Sequence, residues 1–177
     1  MNVLFMNPSE SRSSIHSRRT RAGMDLASLA VAIPEHATRL IDSRATNSDE
    51  AREAIARAHI VAINITPSNA SSALDMTRVA KNERCVTILC TRHQFQDPVP
   101  IALDAGVDVV IDAHDTGAFR GIIEYLDGNP LHVLLKSING ITFTDERGAI
   151  VSTGRMPPVT SPRCATLVPT RSACRRC

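Results

Sequence analysis

One short stretch of the chain places a histidine between carboxylates. Asp112, His114 and Gly117 form the pattern D-x-H-x-x-G, and Asp115 directly follows the histidine. Imidazole is the commonest metal-ligating side chain in proteins. His114 is therefore a candidate metal ligand, provided that the fold brings its loop to a place where a metal could bind.

The cysteines fall into two groups. Cys85 and Cys90 flank the apolar run VTIL, which predicts that they are small core residues of a buried strand. Cys174 and Cys177 lie at the end of the sequence with the C-x-x-C spacing of thiolate clusters. Five cysteines in a cytoplasmic chain do not indicate a disulfide framework, so the two terminal thiols are candidate metal ligands.

Hydroxyl, amide and imidazole side chains are concentrated in three loops, NPSESRSS, TPSNASS and TRHQFQD. Small residues let a large planar or phosphate-bearing ligand approach the backbone, and N–H groups at helix starts favour its anionic part. Serine and asparagine also cap helices for purely structural reasons, so no single loop identifies a site. The candidate cofactor-binding residues are Asn7, Ser9, Thr66, Ser68, Asn69, Thr91 and His93.

Apolar runs alternate with helical patterns along most of the chain. Strands are predicted at 2–7, 37–42, 59–65, 85–90 and 107–112. A helix is predicted at 22–36, a second at 48–58, and others after the third, fourth and fifth strands. This alternation predicts an α/β fold with a doubly wound, five-stranded parallel sheet of flavodoxin type, order 2-1-3-4-5. Such sheets bind ligands beyond the carboxyl ends of their strands, where all three polar loops lie.

The pattern changes after Asn129. GITFT and GAIVST are two alternating runs joined by DERG, which predicts a small antiparallel hairpin. From Arg155 the chain is rich in proline and arginine and has no periodicity. We therefore expect a flavodoxin-like domain at 1–129, a hairpin extension at 130–154, and a linker or disordered tail at 155–177.

Composition and charge restrict the partners of this chain. Of its 177 residues 43% are hydrophobic, but only 3% are aromatic. No run of 18 apolar residues occurs and Met1 leads directly into a strand, which predicts a cytoplasmic protein with no membrane partner. The net charge of +2 arises from the tail, where six arginines and no acids follow from Arg147. Because few aromatic rings are available to stack on bases, nucleic-acid binding is not expected.

Four segments follow one another in a specific order: VLFMNPS, HIVAINITPSNASSALDMTRVAK, CVTILCTRHQFQDPVPIALDAGVDVVID and INGITFTDERGAIVSTGRMPPV. In this order they resemble the N-terminal cobalamin-binding domain of cobalamin-dependent radical S-adenosylmethionine (SAM) proteins, over about residues 1–158. The resemblance implies a module that holds a corrinoid against the carboxyl edge of the sheet. It also implies that cobalt faces a partner domain and serves methyl transfer or another radical reaction.

The resemblance further implies a catalytic barrel that begins with C-x-x-x-C-x-x-C, whose three thiolates hold a [4Fe–4S] cluster with an open iron for SAM. Here Cys174 and Cys177 supply two thiols and the sequence ends. We therefore expect a module that is not catalytic alone and whose partner is a radical SAM barrel in another chain. Its terminal cysteines would be cluster ligands only if a third thiolate is supplied.

The position of D-x-H-x-x-G argues against cobalt ligation by His114. In cobalamin domains that use this pattern it follows the first strand, whereas here it follows the fifth. Three strand spacings displace His114 by about 14 Å, and an imidazole must come within about 2 Å of a metal. We therefore expect no protein histidine on cobalt, and we expect Asp112, Asp115 and Thr116 to form an ordinary helix start.

Two other classes share this topology. Receiver domains need a phosphoacceptor aspartate at the end of strand 3 and a lysine after strand 5, but Asn64 and Ala113 occupy those places. A degenerate sheet domain that binds no corrinoid and serves as a protein-interaction module is compatible with every residue. Colour distinguishes the two remaining alternatives, because a bound corrinoid absorbs visible light.

Overall fold

The structure is a computed structural model that describes residues 1–9, 21–43, 46–92, 102–128 and 135–154. Its strands are β1 (Asn2–Asn7), β2 (Ala37–Asp42), β3 (Ile60–Ile65), β4 (Val86–Thr91), β5 (Val109–Asp112), β6 (Ile141–Thr144) and β7 (Ile150–Ser152). Its helices are α1 (Arg21–Val31), α2 (Ser48–Ala56), α3 (Ala70–Asn82) and α4 (Thr116–Gly128), with a helical segment at 102–104 and a 3-10 turn at Leu135–Ser137. Within these ranges, no helix combines the length and apolarity needed to cross a membrane.

The described strands form one sheet in the order β2-β1-β3-β4-β5-β6-β7. The first five strands of the chain pair in parallel in the order 2-1-3-4-5, as predicted. The sheet nevertheless has seven strands rather than five, because β6 pairs antiparallel with β5 and β7 with β6. Pairing with β6 satisfies the open N–H and C=O groups of β5, a tertiary effect that the hairpin's own alternating pattern does not reveal.

The central strands are buried on both faces. Every residue of β3 is buried, and so are the last five residues of β1 and of β4. A parallel sheet covered by helices on both sides requires continuous apolar runs rather than alternation. The edge strand β2 differs, since its first four residues are exposed. The apolar runs therefore determine which strands occupy the middle of the sheet.

Successive strand residues point to opposite faces and so build two apolar cores. One core lies between the sheet and helices α1 and α4, where the rings of Phe5 and Phe119 have centroids 5.5 Å apart. The other core joins Leu4 and Met6 of β1 to α2, α3 and the segment 102–104. Because helices cover both faces, the fold is doubly wound.

Local signals explain several helix boundaries. Helix α2 begins after Asn47, whose Oδ1 accepts a hydrogen bond from the N–H of Glu50 at 2.7 Å. Helix α4 begins after Asp115, whose Oδ1 accepts from the N–H of Ala118 at 2.8 Å. Helix α1 ends at Val31, earlier than the predicted 36. Pro34 has no N–H to donate, which explains why the helical hydrogen bonds do not continue through it.

Asp108 connects the amino-terminal ends of β4 and β5 to α3. Its Oδ2 accepts hydrogen bonds from the backbone N–H and the hydroxyl of Thr87, both at 2.8 Å. Its two oxygens also accept from Lys81 Nζ, at 2.7 and 2.9 Å. Thr87 is 1% exposed, so its donors depend on this carboxylate for a partner.

Replacing Asp108 with alanine is expected to lower the free energy of unfolding by about 2–3 kcal/mol, because buried donors lose their acceptor. Lys81→Ala is the matched control, since it breaks only an ion pair whose side chains are each 37% exposed. That control should cost less than about 1 kcal/mol. Urea unfolding measures both variants, and equal losses would contradict the importance of the Thr87 bonds.

Gly140 brings the start of β6 against the start of α4. It has a φ of +82°, and its N–H donates to the carbonyl of Gly154 at 2.6 Å. A Cβ at this position would lie 2.7 Å from Oδ2 of Asp115, the residue that caps α4. Because this residue has no side chain, the hairpin approaches the helix this closely without displacing the Asp115 side chain.

Gly140→Ala is expected to lower the free energy of unfolding by about 3 kcal/mol. Alanine is strained at a positive φ, and its Cβ would displace Asp115 from its capping position. Gly148→Ala provides the control, because Gly148 has a φ of +77° but an added Cβ would meet no atom within 4 Å. The control should cost only about 1 kcal/mol. Thermal and urea unfolding compare the two variants, and equal losses would show that the contact with Asp115 is unimportant.

Candidate functional site

The carboxyl ends of the parallel strands lie together at one border of the sheet, which we call the carboxyl edge. Ile65 pairs with Thr91, and Thr91 pairs with Asp112, so the last residues of β3, β4 and β5 are aligned. Asn7 ends β1 next to β3. Side chains that end or follow these strands therefore share this edge, where doubly wound sheets bind their ligands.

Three asparagines connect β1, β3 and the start of α3. Asn64 Nδ2 donates to Asn7 Oδ1 at 3.1 Å, across the two strands. Asn69 Nδ2 donates to the carbonyl of Asn64 at 3.2 Å, and Asn69 Oδ1 accepts from the N–H of Thr66 at 2.7 Å. The three side chains are at most 5% exposed. They give the edge between β1 and β3 a fixed shape.

Two hydroxyls adjoin this amide network, in the loop between β3 and α3. Thr66 Oγ1 and Ser68 Oγ are 3.0 Å apart, and both residues are half-buried. Each hydroxyl has one hydrogen to donate and two lone pairs, so one mutual bond leaves the pair able to bond with a ligand. Thr66 and Ser68 are thus half-buried hydroxyls at the carboxyl edge that retain hydrogen-bonding capacity.

The structure brings Asn7, Thr66, Ser68 and Asn69 together through the contacts of β1, β3 and the following loop. Ser9 is half-buried two residues beyond the end of β1. Thr91 is 7% exposed at the end of β4, and its hydroxyl donates to the carbonyl of Arg92 at 3.4 Å. The remaining candidates, His93, Cys174 and Cys177, lie outside the described residues.

A charged cluster lies at the same edge, at the ends of β4 and β5. Asp25 Oδ2 accepts from Arg92 Nε at 3.0 Å and from Arg92 Nη2 at 2.6 Å. His114 Nδ1 lies 3.6 Å from the other carboxylate oxygen of Asp25. The cluster joins α1 to the residues after two strands and adds charged side chains to the carboxyl edge.

The D-x-H-x-x-G stretch forms the start of α4. The side chain of Asp112 accepts from the backbone N–H of His114 at 3.0 Å, and Asp115 caps the helix. This is the ordinary helix start that the sequence predicts. The imidazole of His114 is 62% exposed and lies beside Asp25.

The described residues contain no group of three or more His, Cys, Asp and Glu side chains that could hold a metal ion. Cys85 and Cys90 are buried, as the sequence predicts. Burial raises the pKa of both thiols, with a smaller contribution from Glu83 at Cys85. Because a thiolate is the form that ligates metal, neither cysteine is suited to that role.

A cavity of about 650 Å³ lies at the opposite, amino-terminal edge of the parallel strands. Val86, Val109 and Leu126 contribute to its apolar wall, and Asp108 and Arg147 are among its charged residues. None of the candidate site residues named from the sequence lines it. The candidate site is therefore an open edge of the sheet, separate from this cavity.

Three residues of the carboxyl edge, Asn64, Asp25 and Arg92, are absent from the sequence-based candidates. Asn64 interrupts the apolar run IVAINI, and Asp25 interrupts the apolar face of α1. A polar residue inside an apolar pattern signals a buried group that needs a partner. That signal is present in the sequence, but it does not identify the partner, since Asp25 and Arg92 are 67 residues apart.

No protein-family model matches this chain, and no curated protein matches it either. Among solved structures, the fold is similar to part of OxsB, a cobalamin-dependent S-adenosylmethionine radical enzyme. That match has a TM-score of 0.67 and 13% sequence identity over 88% of this chain.

The chain spans only 22% of the length of OxsB, so the likeness concerns one portion of that enzyme. A second structure, CapF with the inhibitor 3-isopropenyl-tropolone, matches 73% of this chain and 48% of its own, with 10% identity and a TM-score of 0.47. At 13% identity, the likeness to OxsB shows a shared fold. The chain therefore has the fold of the matching portion of OxsB.

Proposed function

We propose that this protein is a cobalamin-binding module of the radical SAM type. The observation that carries the proposal is the carboxyl edge between β1 and β3, where Asn7, Thr66, Ser68 and Asn69 meet. This edge belongs to a fold similar to part of a cobalamin-dependent enzyme over 88% of the chain. The order of sequence segments that resembles the cobalamin-binding domain supports the same conclusion.

The side chains at this edge suit a large neutral ligand that carries many amides. A corrin ring bears amide groups around its rim, and the hydroxyls of Thr66 and Ser68 can both donate to and accept from amides. The side chain of Asn69 accepts a hydrogen bond from the backbone N–H of Thr66 and fixes this loop. The two hydroxyls are therefore already ordered before a ligand binds, which lowers the entropy cost of binding. Short side chains also leave room for a planar ring to approach the backbone.

In this proposal the protein holds and orients the corrinoid, and Ser9, Thr91 and His93 are the further residues that we expect to contact it. Bound cobalamin would supply a cobalt centre for methyl transfer or another radical SAM reaction. A radical SAM barrel would supply SAM cleavage, so this module does not carry out the reaction by itself. Cys174 and Cys177 would join a [4Fe–4S] cluster only if a third thiolate is supplied.

The alternative function is a protein-interaction module without a corrinoid. The amides of Asn7, Asn64 and Asn69 bond to one another and to the backbone, as a purely structural network would. On this interpretation Thr66 and Ser68 only shape the loop before α3. Visible absorption separates the two functions, because only the first gives a coloured protein.

Titration of the full chain with hydroxocobalamin, followed by visible absorption, is expected to show saturable binding. The double substitution Thr66→Ala and Ser68→Ala should weaken binding by about tenfold, since two hydroxyls that bond the ligand are lost. Its matched control is Thr142→Ala with Ser152→Ala. That pair of hydroxyls is also hydrogen-bonded, at 3.3 Å, but it lies on β6 and β7, which are three and four strand positions away from β3.

The control variant should bind hydroxocobalamin like the unmodified protein. Equal affinities for the unmodified protein and the Thr66/Ser68 variant would show that the corrinoid does not lie between β1 and β3. Absence of saturable binding by the unmodified protein would overturn the cobalamin proposal and favour the interaction module.

A further inference from the structure

The most buried charge at the carboxyl edge is the carboxylate of Asp25. Its side chain is 9% exposed, and it receives two hydrogen bonds from the guanidinium of Arg92, which is 17% exposed. A buried carboxylate is tolerated only when it is paired and hydrogen-bonded. Asp25 and Arg92 therefore form a fixed pair that anchors α1 to the end of β4.

His114 adds a second nitrogen group to this pair. Its Nδ1 lies 3.6 Å from Asp25 Oδ1, while Arg92 bonds only to Oδ2. Both side chains therefore converge on one carboxylate from different loops. The exposed fraction of the side chain rises from 9% for Asp25 to 17% for Arg92 and 62% for His114. An anion arriving from solvent would meet the imidazole and the guanidinium before the carboxylate.

The number of N–H donors on Arg92 and His114 also favours binding of an anion. A guanidinium has five N–H donors, and Asp25 takes two of those on Arg92, one on Nε and one on Nη2. An imidazole ring has two nitrogens, and on His114 Nδ1 lies 3.6 Å from Oδ1 of Asp25. Phosphate has several acceptor oxygens, so it forms short, charge-assisted hydrogen bonds with a guanidinium and also accepts from an imidazole N–H.

We propose that Arg92 and His114, held by Asp25, bind a phosphate group. Two sources share this chemistry: the phosphodiester of the nucleotide tail of cobalamin, and free inorganic phosphate. Assignment to the nucleotide tail rests on the proposed cobalamin function, whereas binding of inorganic phosphate does not. In either case His114 contacts the anion and is not a cobalt ligand.

The first arm compares hydroxocobalamin with cobinamide, a corrinoid that lacks the phosphate and the nucleotide. His114→Ala and Arg92→Lys should each weaken hydroxocobalamin binding by about tenfold. The first removes the imidazole N–H, and the second replaces the guanidinium, whose separate donors can reach Asp25 and phosphate at once, by a single ammonium group. Both variants should bind cobinamide as the unmodified protein does. Arg39→Lys is the matched control, since Arg39 forms an ion pair with Glu50 on the edge strand β2. It should leave both affinities unchanged.

The second arm follows the imidazole resonances by NMR during titration with inorganic phosphate at constant pH and ionic strength. His114 should show a saturable shift, and Arg92→Lys should weaken this response by about tenfold. His36 and His59 serve as internal references, because they lie near the amino-terminal end of β1. Their resonances should not show saturation.

The two arms separate the failures. If neither corrinoid binds but His114 responds saturably to phosphate, the cobalamin function fails and the phosphate site stands with inorganic phosphate as its ligand. If both corrinoids bind and the variants weaken them equally or not at all, the nucleotide-tail assignment is wrong. If the His114 resonance also moves no more than those of His36 and His59, the phosphate site is overturned as a whole.

Discussion

The hydrogen bond between the side chains of Asn64 and Asn7 is the interaction on which the carboxyl edge depends. Asn64 lies in β3, the strand of which every residue is buried. A buried amide must find partners inside the fold, and Asn64 finds one on β1 while its carbonyl accepts from Asn69. Asn69 in turn accepts from the N–H of Thr66 and so fixes the loop at Thr66 and Ser68. An apolar residue at position 64 would pack in the strand and keep the carbonyl that binds Asn69, but it would remove the donor that joins β3 to Asn7 of β1.

Much of this arrangement can be predicted from sequence because burial on both faces requires continuous apolar runs. The runs VLFM and IVAI identify β1 and β3 as central, and the polar residues at their ends then fall at one edge. The pairing of β6 with β5, by contrast, cannot be predicted from local sequence. Nothing within GITFT specifies that its partner is the edge of a strand some thirty residues earlier, since that choice depends on which edge is open.

The Asp25–Arg92 pair is a second case in which the local sequence does not specify the partner, here for a side chain. The sequence signals that Asp25 needs a partner, but several arginines occur in the chain, and only the register of the sheet and the packing of α1 select Arg92. Asn69 is predictable at a coarser level. Its place after β3 is clear from the pattern, whereas its bonds to the carbonyl of Asn64 and the N–H of Thr66 depend on the loop conformation.

The sheet order also sets the size of any ligand that uses the whole edge. Two strand spacings separate β3 from β5, a distance of about 10 Å. The hydroxyls of Thr66 and Ser68 follow β3, whereas His114 follows β5 and meets Arg92 and Asp25 there. One end of the edge thus offers neutral hydroxyls and amides, and the other offers a guanidinium and an imidazole beside a carboxylate. A small ligand could contact only one end, whereas a ligand with a neutral, amide-bearing body and an anionic arm could contact both at once.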